Sequence, residues 1–418
     1  MQVEAHRFTE QAREQTYLLL PSFSMSGAFR ASYEWQNCHP DHNTNLLRSS
    51  AAFNLMQIIH EMFSEGYLQD DMRCLNEAIG GQDRTMSYRK VLRNLVCSLS
   101  HEEHRSGDET IARVVLLALQ ASVSNFHGPD FWIHVHGLSK VVQDRGSRNL
   151  QAHRAKLLIR ACRTSLLYAQ MFDLQEPLFQ NRGWRQGLGF EAQYTDTDML
   201  VEFMASTSIL MRRAILCESK QEGVHIATEA RQAITQLTLW YATAGDRIRG
   251  SVYKQVGKNF KCPLDFFLTF ADPVSAEICL LYHTILLAFI DFLESRTGGR
   301  WATLDQARRL PCFDAFTLAC NITRMVPYFL AGGILGFFAI NFPIRFALRA
   351  LNRLQAVEVE QWLLHVVETP RLAPSMQGTF SLSIHSVESY NLCIPLTRCK
   401  RSMLPRPPMC WRLRNRNR

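Results

Sequence analysis

The sequence lacks the closely spaced cysteines from which zinc sites are built. Its twelve cysteines are scattered, and no two of them form a CxxC pair or part of a six-cysteine array. The first residues carry three glutamates and no apolar run, a pattern that fits neither a secretory signal nor a transit peptide. We therefore expect reduced core thiols in an intracellular protein that has no metal site and no cofactor.

Acidic residues are missing from the carboxyl-terminal stretch of the sequence. The chain has 46 basic and 38 acidic residues, which gives a net charge of +8. Eight of the basic residues and none of the acidic ones lie between Arg398 and Arg418, so the remainder of the chain is neutral. Because contacts to phosphate need clustered Lys and Arg, a neutral body disfavours a broad nucleic-acid-binding face.

The spacing motifs of the common enzyme classes are also missing. There is no GxSxG nucleophile elbow and no glycine-rich loop with dinucleotide or P-loop spacing. His60 begins a pentapeptide like HExxH, but Ser64 stands where the second zinc ligand belongs. His101 and His104 are one residue too close for the same motif, and we interpret them as solvated helix residues. We expect no enzyme; the alternative is a cytosolic helical enzyme or ligand-binding protein of unknown substrate.

Strand signals are scarce, whereas helical periodicity recurs along most of the chain. Alternating strand patterns joined by Asn-Gly or Asp-Gly turns are missing. No repeat, low-complexity tract or long linker divides the sequence before Leu392. We therefore predict an all-α protein with one large, irregular helical domain over residues 45–391. Residues 1–44 are expected to be a partly ordered segment, and residues 392–418 a short, basic, disordered tail.

Local signals predict where several helices begin and end. Asp108 can cap a helix that is apolar on all sides, which indicates a central, buried element. Pro273 is a favourable first helical residue, and the glycine pair at 298–299 ends that helix. Residues 346–367 are expected to form one helix that ends ahead of Pro370.

Residues 154–172 are predicted to form an amphipathic helix. Lys156, Arg160 and Arg163 recur at helical spacing on one side of it. This basic stripe is either a solvated face or a surface that docks an acidic partner segment.

An uncharged stretch from Val326 to Ile344 is long enough to cross a bilayer. It contains Pro327, Pro343 and several glycines, which would break a single helix twice. We therefore interpret it as a buried helix–loop–helix connection and expect no membrane association. A small-molecule effector pocket lined by residues 327–346, including Phe337, is a further hypothesis.

Five pieces of the sequence, in this order, resemble the fungal-specific transcription factor domain, the regulatory region that follows a zinc binuclear cluster in many fungal regulators. They are the helix from residue 109, FWIHVHGLSKVVQDRG with the basic helix after it, LLYHTILLAFIDFL, MVPYFL and NFPIRFALR. The resemblance runs from about residue 45 to about residue 370. The matching motif residues are Trp132, His134, Gly137, Arg145, Gly146, Tyr282, His283, Pro327, Tyr328, Phe329, Pro343 and Arg345.

The resemblance implies a transcription regulator that is located in the nucleus. Shuttling between the nucleus and the cytoplasm is left open. In that family the helical domain regulates activity and binds partners, while the zinc cluster reads DNA. Because this chain has no such cluster, the implied partner is a DNA-bound transcription factor or a second copy of the chain. Either the protein acts through that partner, or the cluster was lost, or the gene model begins downstream of it. The family's habits suggest a specialised-metabolite gene cluster as the target.

The basic tail lies beyond the resemblance. It offers a nuclear localisation signal or a nonspecific, salt-sensitive phosphate contact, and the alternative is a frayed or mispredicted terminus. The residues concerned are Lys400, Arg401, Arg412, Arg414, Arg416 and Arg418.

Overall fold

The computed structural model describes most of the chain between Arg84 and Glu368, together with Met62, Leu68 and Asp71. The gaps within that range are residues 125–128, 148–149, 151–152, 174–176, 181, 189–194, 250–251, 256–262, 265, 271–272, 298–313 and 332. The predicted domain boundaries and the basic tail lie outside the described residues. The described part is 87% helical, which confirms the all-α class.

The helices in chain order are α1 Arg84–Ser100, α2 Asp108–Ser124, α3 Asp130–Arg145, α4 His153–Asp173, α5 Arg182–Gly187, α6 Asp196–Leu216, α7 Lys220–Arg249, α8 Pro273–Thr297, α9 Ala315–Ala331, α10 Gly333–Arg353 and α11 Val357–Glu368. A 3-10 turn covers Leu178–Gln180. Two short strands, β1 Val252–Gln255 and β2 Phe267–Phe270, pair antiparallel with Val252 opposite Phe270. The absence of hairpin signals had given no expectation of this pair.

Helix α8 is the central element of the core. It packs against α6, α7, α9 and α10, and it begins at Pro273 as predicted. Within it, Val274–Asp291 is apolar and long enough to cross a membrane, with a mean hydropathy of 1.6. The helical body covers 94% of that segment. Near its end, the buried Asp291 carboxylate pairs with Arg349 and Arg353 of α10, at 3.0 and 3.1 Å.

The uncharged run at 326–344 is divided between α9 and α10. The first of these helices ends at Ala331 and the second begins at Gly333, so two helices share the run rather than one. The prediction that the prolines mark its breaks is wrong, because Pro327 lies inside α9 and Pro343 inside α10. Each proline costs its helix one backbone hydrogen bond, and the many contacts between α9 and α10 offset that loss.

The tightest contact between α9 and α10 is at Gly336. A methyl group placed on this residue would lie 2.7 Å from the carbonyl carbon of Phe329, and closer still to its oxygen. Only a residue without a side chain lets the two backbones approach this closely.

Two further helix predictions need correction. Residues 346–367 do not form one helix, because α10 ends at Arg353 and α11 begins at Val357. The intervening Gln355 has a positive φ of 55°, a conformation that ends a helix. His101 and His104 lie in the turn between α1 and α2 rather than on a helix, and both are exposed.

Candidate regulatory site between α3 and α10

Trp132 joins three helices through its indole ring. It stands on α3 and is partly buried. Phe172 of α4 meets the ring edge to face at 4.8 Å between centroids, and Phe342 of α10 does the same at 5.1 Å. Such arrangements stabilise aromatic pairs beyond the area they bury. The motif tryptophan is therefore a structural link between two pieces of the resemblance that are remote in the sequence.

Phe342 is the centre of this aromatic cluster, and sequence reasoning missed it. It is 1% exposed and also packs against Phe131 and Tyr168, at 5.1 and 5.3 Å. One turn later, Phe346 stacks on Phe172 at 4.4 Å. The i, i+4 spacing of Phe342 and Phe346 was the available signal, since it places both rings on one face of α10.

Arg345 adds a positive charge to the aromatic cluster. Its guanidinium carbon lies 5.4 Å from the ring centroid of Trp132 and 5.5 Å from that of Phe131. Its Nε donates a hydrogen bond to Oδ1 of Asn341, one turn earlier, at 3.1 Å. Burial lowers the pKa of Arg345 to about 10, so the side chain stays protonated at neutral pH. A desolvated cation over aromatic rings is a favourable contact.

A histidine and an aspartate lie beside the same tryptophan at the protein surface. The ring of His136 stacks against Trp132 at 6.1 Å. Its Nδ1 lies 3.1 Å from Oδ2 of Asp173. The side chain of His136 is 41% exposed and that of Asp173 is 33% exposed. His134, in contrast, is 6% exposed and hydrogen-bonds through Nε2 to the Tyr88 hydroxyl at 2.8 Å. Burial lowers the pKa of His134.

The two histidines therefore point in different directions, as side chains at i and i+2 of a helix do. His134 ties α3 to α1, and His136 ties α3 to the end of α4. Within the described residues, no group of three or more His, Cys, Asp or Glu side chains is placed to hold a metal ion.

Arg145 and Gly146 lie at the end of α3 and have different roles there. Arg145 forms an ion pair with Asp108, in the first turn of α2, and Arg154 of α4 reaches the same carboxylate at 3.3 Å. Gly146 has φ 68° and ψ 163°, and its N–H donates to the carbonyls of Val142 and Gln143. That backbone conformation is almost restricted to glycine. Gly137 has no such requirement, because a methyl group there would meet nothing within 4 Å.

Tyr282 and His283 lie in a second buried cluster, on α8. Tyr241 of α7 stacks on Tyr282 with the rings 3.6 Å apart and almost parallel. Nδ1 of His283 donates to the Cys279 carbonyl at 2.7 Å, and burial lowers the pKa of His283 to about 4. Burial raises the pKa of the Cys279 thiol to about 12. These groups are neutral at physiological pH and are packed in the core.

Pro327, Tyr328 and Phe329 belong to the contact between α9 and its neighbours. Tyr328 meets Phe270 of β2 edge to face at 5.2 Å, and Phe329 contributes the backbone that approaches Gly336. The hypothetical effector pocket at 327–346 coincides with this region. Its described members Phe329, Ile340, Phe342 and Ile344 are at most 3% exposed and form core. The side chain of Phe337 lies outside the described residues.

The predicted docking stripe on α4 is wrong for Arg163. This side chain is 4% exposed and forms an ion pair with Asp198 of α6. Burial opposes ionisation of Asp198, but Arg163 and the hydrogen bonds from Thr195 outweigh it and lower the pKa of that carboxyl. Arg160 is half-buried and donates to the Leu188 carbonyl at 2.9 Å. Lys156 is partly exposed, as Arg160 is, so Arg163 is the member of the stripe that the packing of α4 buries.

The proposed nuclear localisation residues, from Lys400 to Arg418, lie outside the described residues. Comparisons of this chain with protein-family models, with curated proteins and with solved structures found no match.

Proposed function

We propose that this chain is a nuclear transcription regulator that acts through protein contacts and has no zinc-cluster DNA reader of its own. The observation that carries the proposal is the packing of Trp132 against Phe342 and Arg345. These residues belong to two pieces of the resemblance that are remote in the sequence. Their union in one cluster supports the interpretation of both pieces as parts of a single regulatory domain.

The buried titratable groups favour a regulatory role over catalysis. Burial raises the pKa of the Cys162 and Cys279 thiols to about 12, which leaves neither as a thiolate nucleophile at neutral pH. The imidazole of His283 is enclosed in the core, where no substrate reaches it. The exposed pair of His136 and Asp173 is a hydrogen-bonded surface contact beside Trp132.

In this proposal a DNA-bound partner supplies sequence specificity, and the basic tail directs nuclear entry or adds nonspecific phosphate contacts. The target genes are those of a specialised-metabolite cluster. This assignment of the pathway rests on the resemblance alone.

The test is chromatin immunoprecipitation of the tagged protein under inducing conditions, compared with a variant that lacks residues 399–418. Discrete promoter peaks in both proteins would support a regulator whose partner reads DNA. Loss of the peaks in the variant, restored by a heterologous nuclear localisation signal, would assign the tail to nuclear entry. Loss that such a signal does not restore would assign it to DNA contact.

A cytosolic protein without promoter peaks under the same conditions would contradict the proposal. A matched control replaces Arg412, Arg414, Arg416 and Arg418 with glutamine, which keeps the length of the tail and removes four of its eight basic charges. The same peaks in this control and in the intact protein would show that the charge is dispensable.

A further inference from the structure

Helix α3 has a stripe on its outer side that runs along nearly its whole length. The members of this stripe recur at intervals of three and four residues, and they are Asp130, Ile133, Gly137, Lys140 and Asp144. At about 3.6 residues per turn, all five fall within roughly a quarter of the helix circumference. Gly137 is half-buried and the other four residues are exposed. We name these five residues the α3 stripe.

A protruding side chain lies next to a gap at the middle of the α3 stripe. Ile133 is 59% exposed. One turn later, a methyl group placed on Gly137 would meet nothing within 4 Å, so the surface is recessed there. Glycine inside a helix costs about 0.5–1 kcal/mol relative to alanine. Within the described residues no close contact requires glycine at this position, which indicates that the gap receives another molecule.

Opposite charges flank this central pair of residues. Asp130 precedes Ile133 by three residues, and Lys140 follows Gly137 by three residues. Lys140 is 71% exposed at its side chain, and its Nζ lies 3.4 Å from Oδ1 of Asp144. Asp130 forms no ion pair with any residue in the described part of the chain. Its carboxylate is therefore open to a cation from outside the chain.

We propose that the α3 stripe binds the α3 stripe of a second copy of this chain, with the two helices antiparallel. Asp130 and Lys140 have their midpoint at Val135, and Ile133 and Gly137 have the same midpoint. A two-fold axis at the level of Val135 therefore sets each Asp130 opposite the other copy's Lys140. The same axis sets each Ile133 opposite the other copy's Gly137. One axis satisfies all four contacts, which is the requirement for an interface that uses the same patch on each copy.

The order of these four residues selects a second, antiparallel copy as the occupant. Such a copy presents a gap to each isoleucine, an isoleucine to each gap, and the opposite charge to each end. A parallel copy would set Asp130 against Asp130 and Lys140 against Lys140, which like charges disfavour. An acidic segment would be repelled at Asp130 and a basic segment at Lys140. The pairing does not depend on the proposed function in transcription.

The size of the α3 stripe sets the expected strength of the dimer. A helix of 16 residues is about 24 Å long, and one helix on each side buries less than the roughly 800 Å² per partner of a standard stable interface. We therefore expect a dimer that dissociates on dilution. Added salt should weaken it, because the charges at its ends are exposed.

The first test is sedimentation velocity of the full chain over a range of concentrations, with two charge-reversal variants. The intact protein should shift from monomer to dimer as its concentration rises. D130K sets Lys against Lys140, and K140D sets Asp against Asp130, so each variant alone should stay monomeric. An equimolar mixture of the two should dimerise, because each copy then meets the opposite charge at both ends. The double variant D130K/K140D should dimerise by itself for the same reason.

The second test concerns the isoleucine and the gap that receives it. Ile133→Ser should raise the dissociation constant of the dimer about tenfold or more, because an isoleucine on each copy is no longer buried. Leu239→Ser is the matched control, since Leu239 is 54% exposed and lies on α7, and it should leave the dissociation constant unchanged. Gly137→Ala fills the gap. It should weaken the dimer although it favours the helix of the monomer, a combination that a purely structural role of Gly137 would not produce.

Three results would overturn the proposal, once circular dichroism melts have established that each variant is folded. The first is an intact protein that is monomeric at all concentrations. The second is a mixture of D130K and K140D that dimerises no better than either variant alone. The third is a dimer whose dissociation constant is the same in Ile133→Ser as in Leu239→Ser.

Discussion

The guanidinium of Arg345 lies over the indole ring of Trp132, 5.4 Å from the ring centroid. The arginine belongs to α10 and the tryptophan to α3, and Phe342 packs against the same indole from α10. A cation held over an aromatic ring away from water is worth about 2 kcal/mol, against about 0.5–1 kcal/mol at an exposed site. A motif arginine and a motif tryptophan thus form one of the contacts that join the two helices.

We predict that substitutions at these two residues are not additive. Trp132→Ala should lower the free energy of unfolding by about 3 kcal/mol, the lower end for a large aromatic side chain, because the ring is only partly buried. Arg345→Met should cost about 1–2 kcal/mol, since it keeps the packing of the side chain and loses the charge. The double variant should recover about 1 kcal/mol relative to the sum of the two. Urea unfolding followed by circular dichroism measures all three.

A control cycle pairs Trp132→Ala with Arg349→Met, one turn further along α10. Arg349 contacts Asp291 at 3.0 Å rather than the aromatic cluster, so these two effects should add. Additivity in the Arg345 cycle as well would show that the contact with Trp132 contributes no coupling.

Two glycine-to-alanine substitutions should have opposite effects on the stability of the protein. Gly336→Ala places a methyl group against the backbone of Phe329, so it forces α9 and α10 apart and should cost at least about 3 kcal/mol. Gly137→Ala meets no atom within 4 Å, and alanine is the better helix former by about 0.5–1 kcal/mol. The second change should therefore raise the midpoint of thermal unfolding, and the first should lower it. A stable Gly336→Ala protein would mean that α9 and α10 can separate at little cost.

The contrast between these glycines shows what the sequence could reveal. Gly137 is a motif residue and Gly336 is one of the glycines of the uncharged run, but only the distance to another helix distinguishes them. Helices α2 and α8 were predictable because their signals are local, with acids in the first turn of α2 and Pro273 at the start of α8. The all-α class followed from such local signals.

Arg163 shows why the rest was not predictable. A helical projection treats a charged residue as exposed, and it places Arg163 on the basic side of α4. The residue is buried because its counter-charge, Asp198, comes from α6, and the pairing of α4 with α6 is a tertiary contact that periodicity does not contain. Phe342 became the centre of the aromatic cluster in the same way, through partners on α3 and α4.

We predict that removal of either partner of the Arg163–Asp198 pair strongly destabilises the protein. Arg163→Leu leaves a buried carboxylate without its main counter-charge, and Asp198→Asn leaves a buried guanidinium. Each should cost about 3–5 kcal/mol. Lys156→Ala, on the same helix and partly exposed, should change stability by less than about 0.5 kcal/mol. If Arg163→Leu were as mild as Lys156→Ala, the ion pair would be dispensable.

The same pair predicts an acid dependence. The pKa of Asp198 is lower in the folded protein than in the unfolded chain. Its contribution to stability is therefore present above the unfolded value of about 3.9 and is lost as the pH falls through the lower, folded value. Asp198→Asn should remove this component, so the difference in unfolding free energy between the two proteins should shrink below about pH 4.

His283 predicts a loss of stability at a higher pH. Its folded pKa is about 4, below the unfolded value of about 6.5, so between these values the unfolded chain binds a proton that the folded protein does not. The free energy of unfolding should fall as the pH drops through this window, by about 1.4 kcal/mol per pH unit and about 3 kcal/mol in total. His283→Gln retains a donor for the Cys279 carbonyl and removes the titration.

Urea unfolding at intervals from pH 7 to pH 4 should therefore show a shallower decline of the unfolding free energy in this variant. The residual slope is due in part to His134, because burial also lowers the pKa of His134. His365→Gln, at an exposed position, controls for the substitution itself. If the unfolding free energies of His283→Gln and of the intact protein changed in parallel with pH, His283 would accept its proton without unfolding.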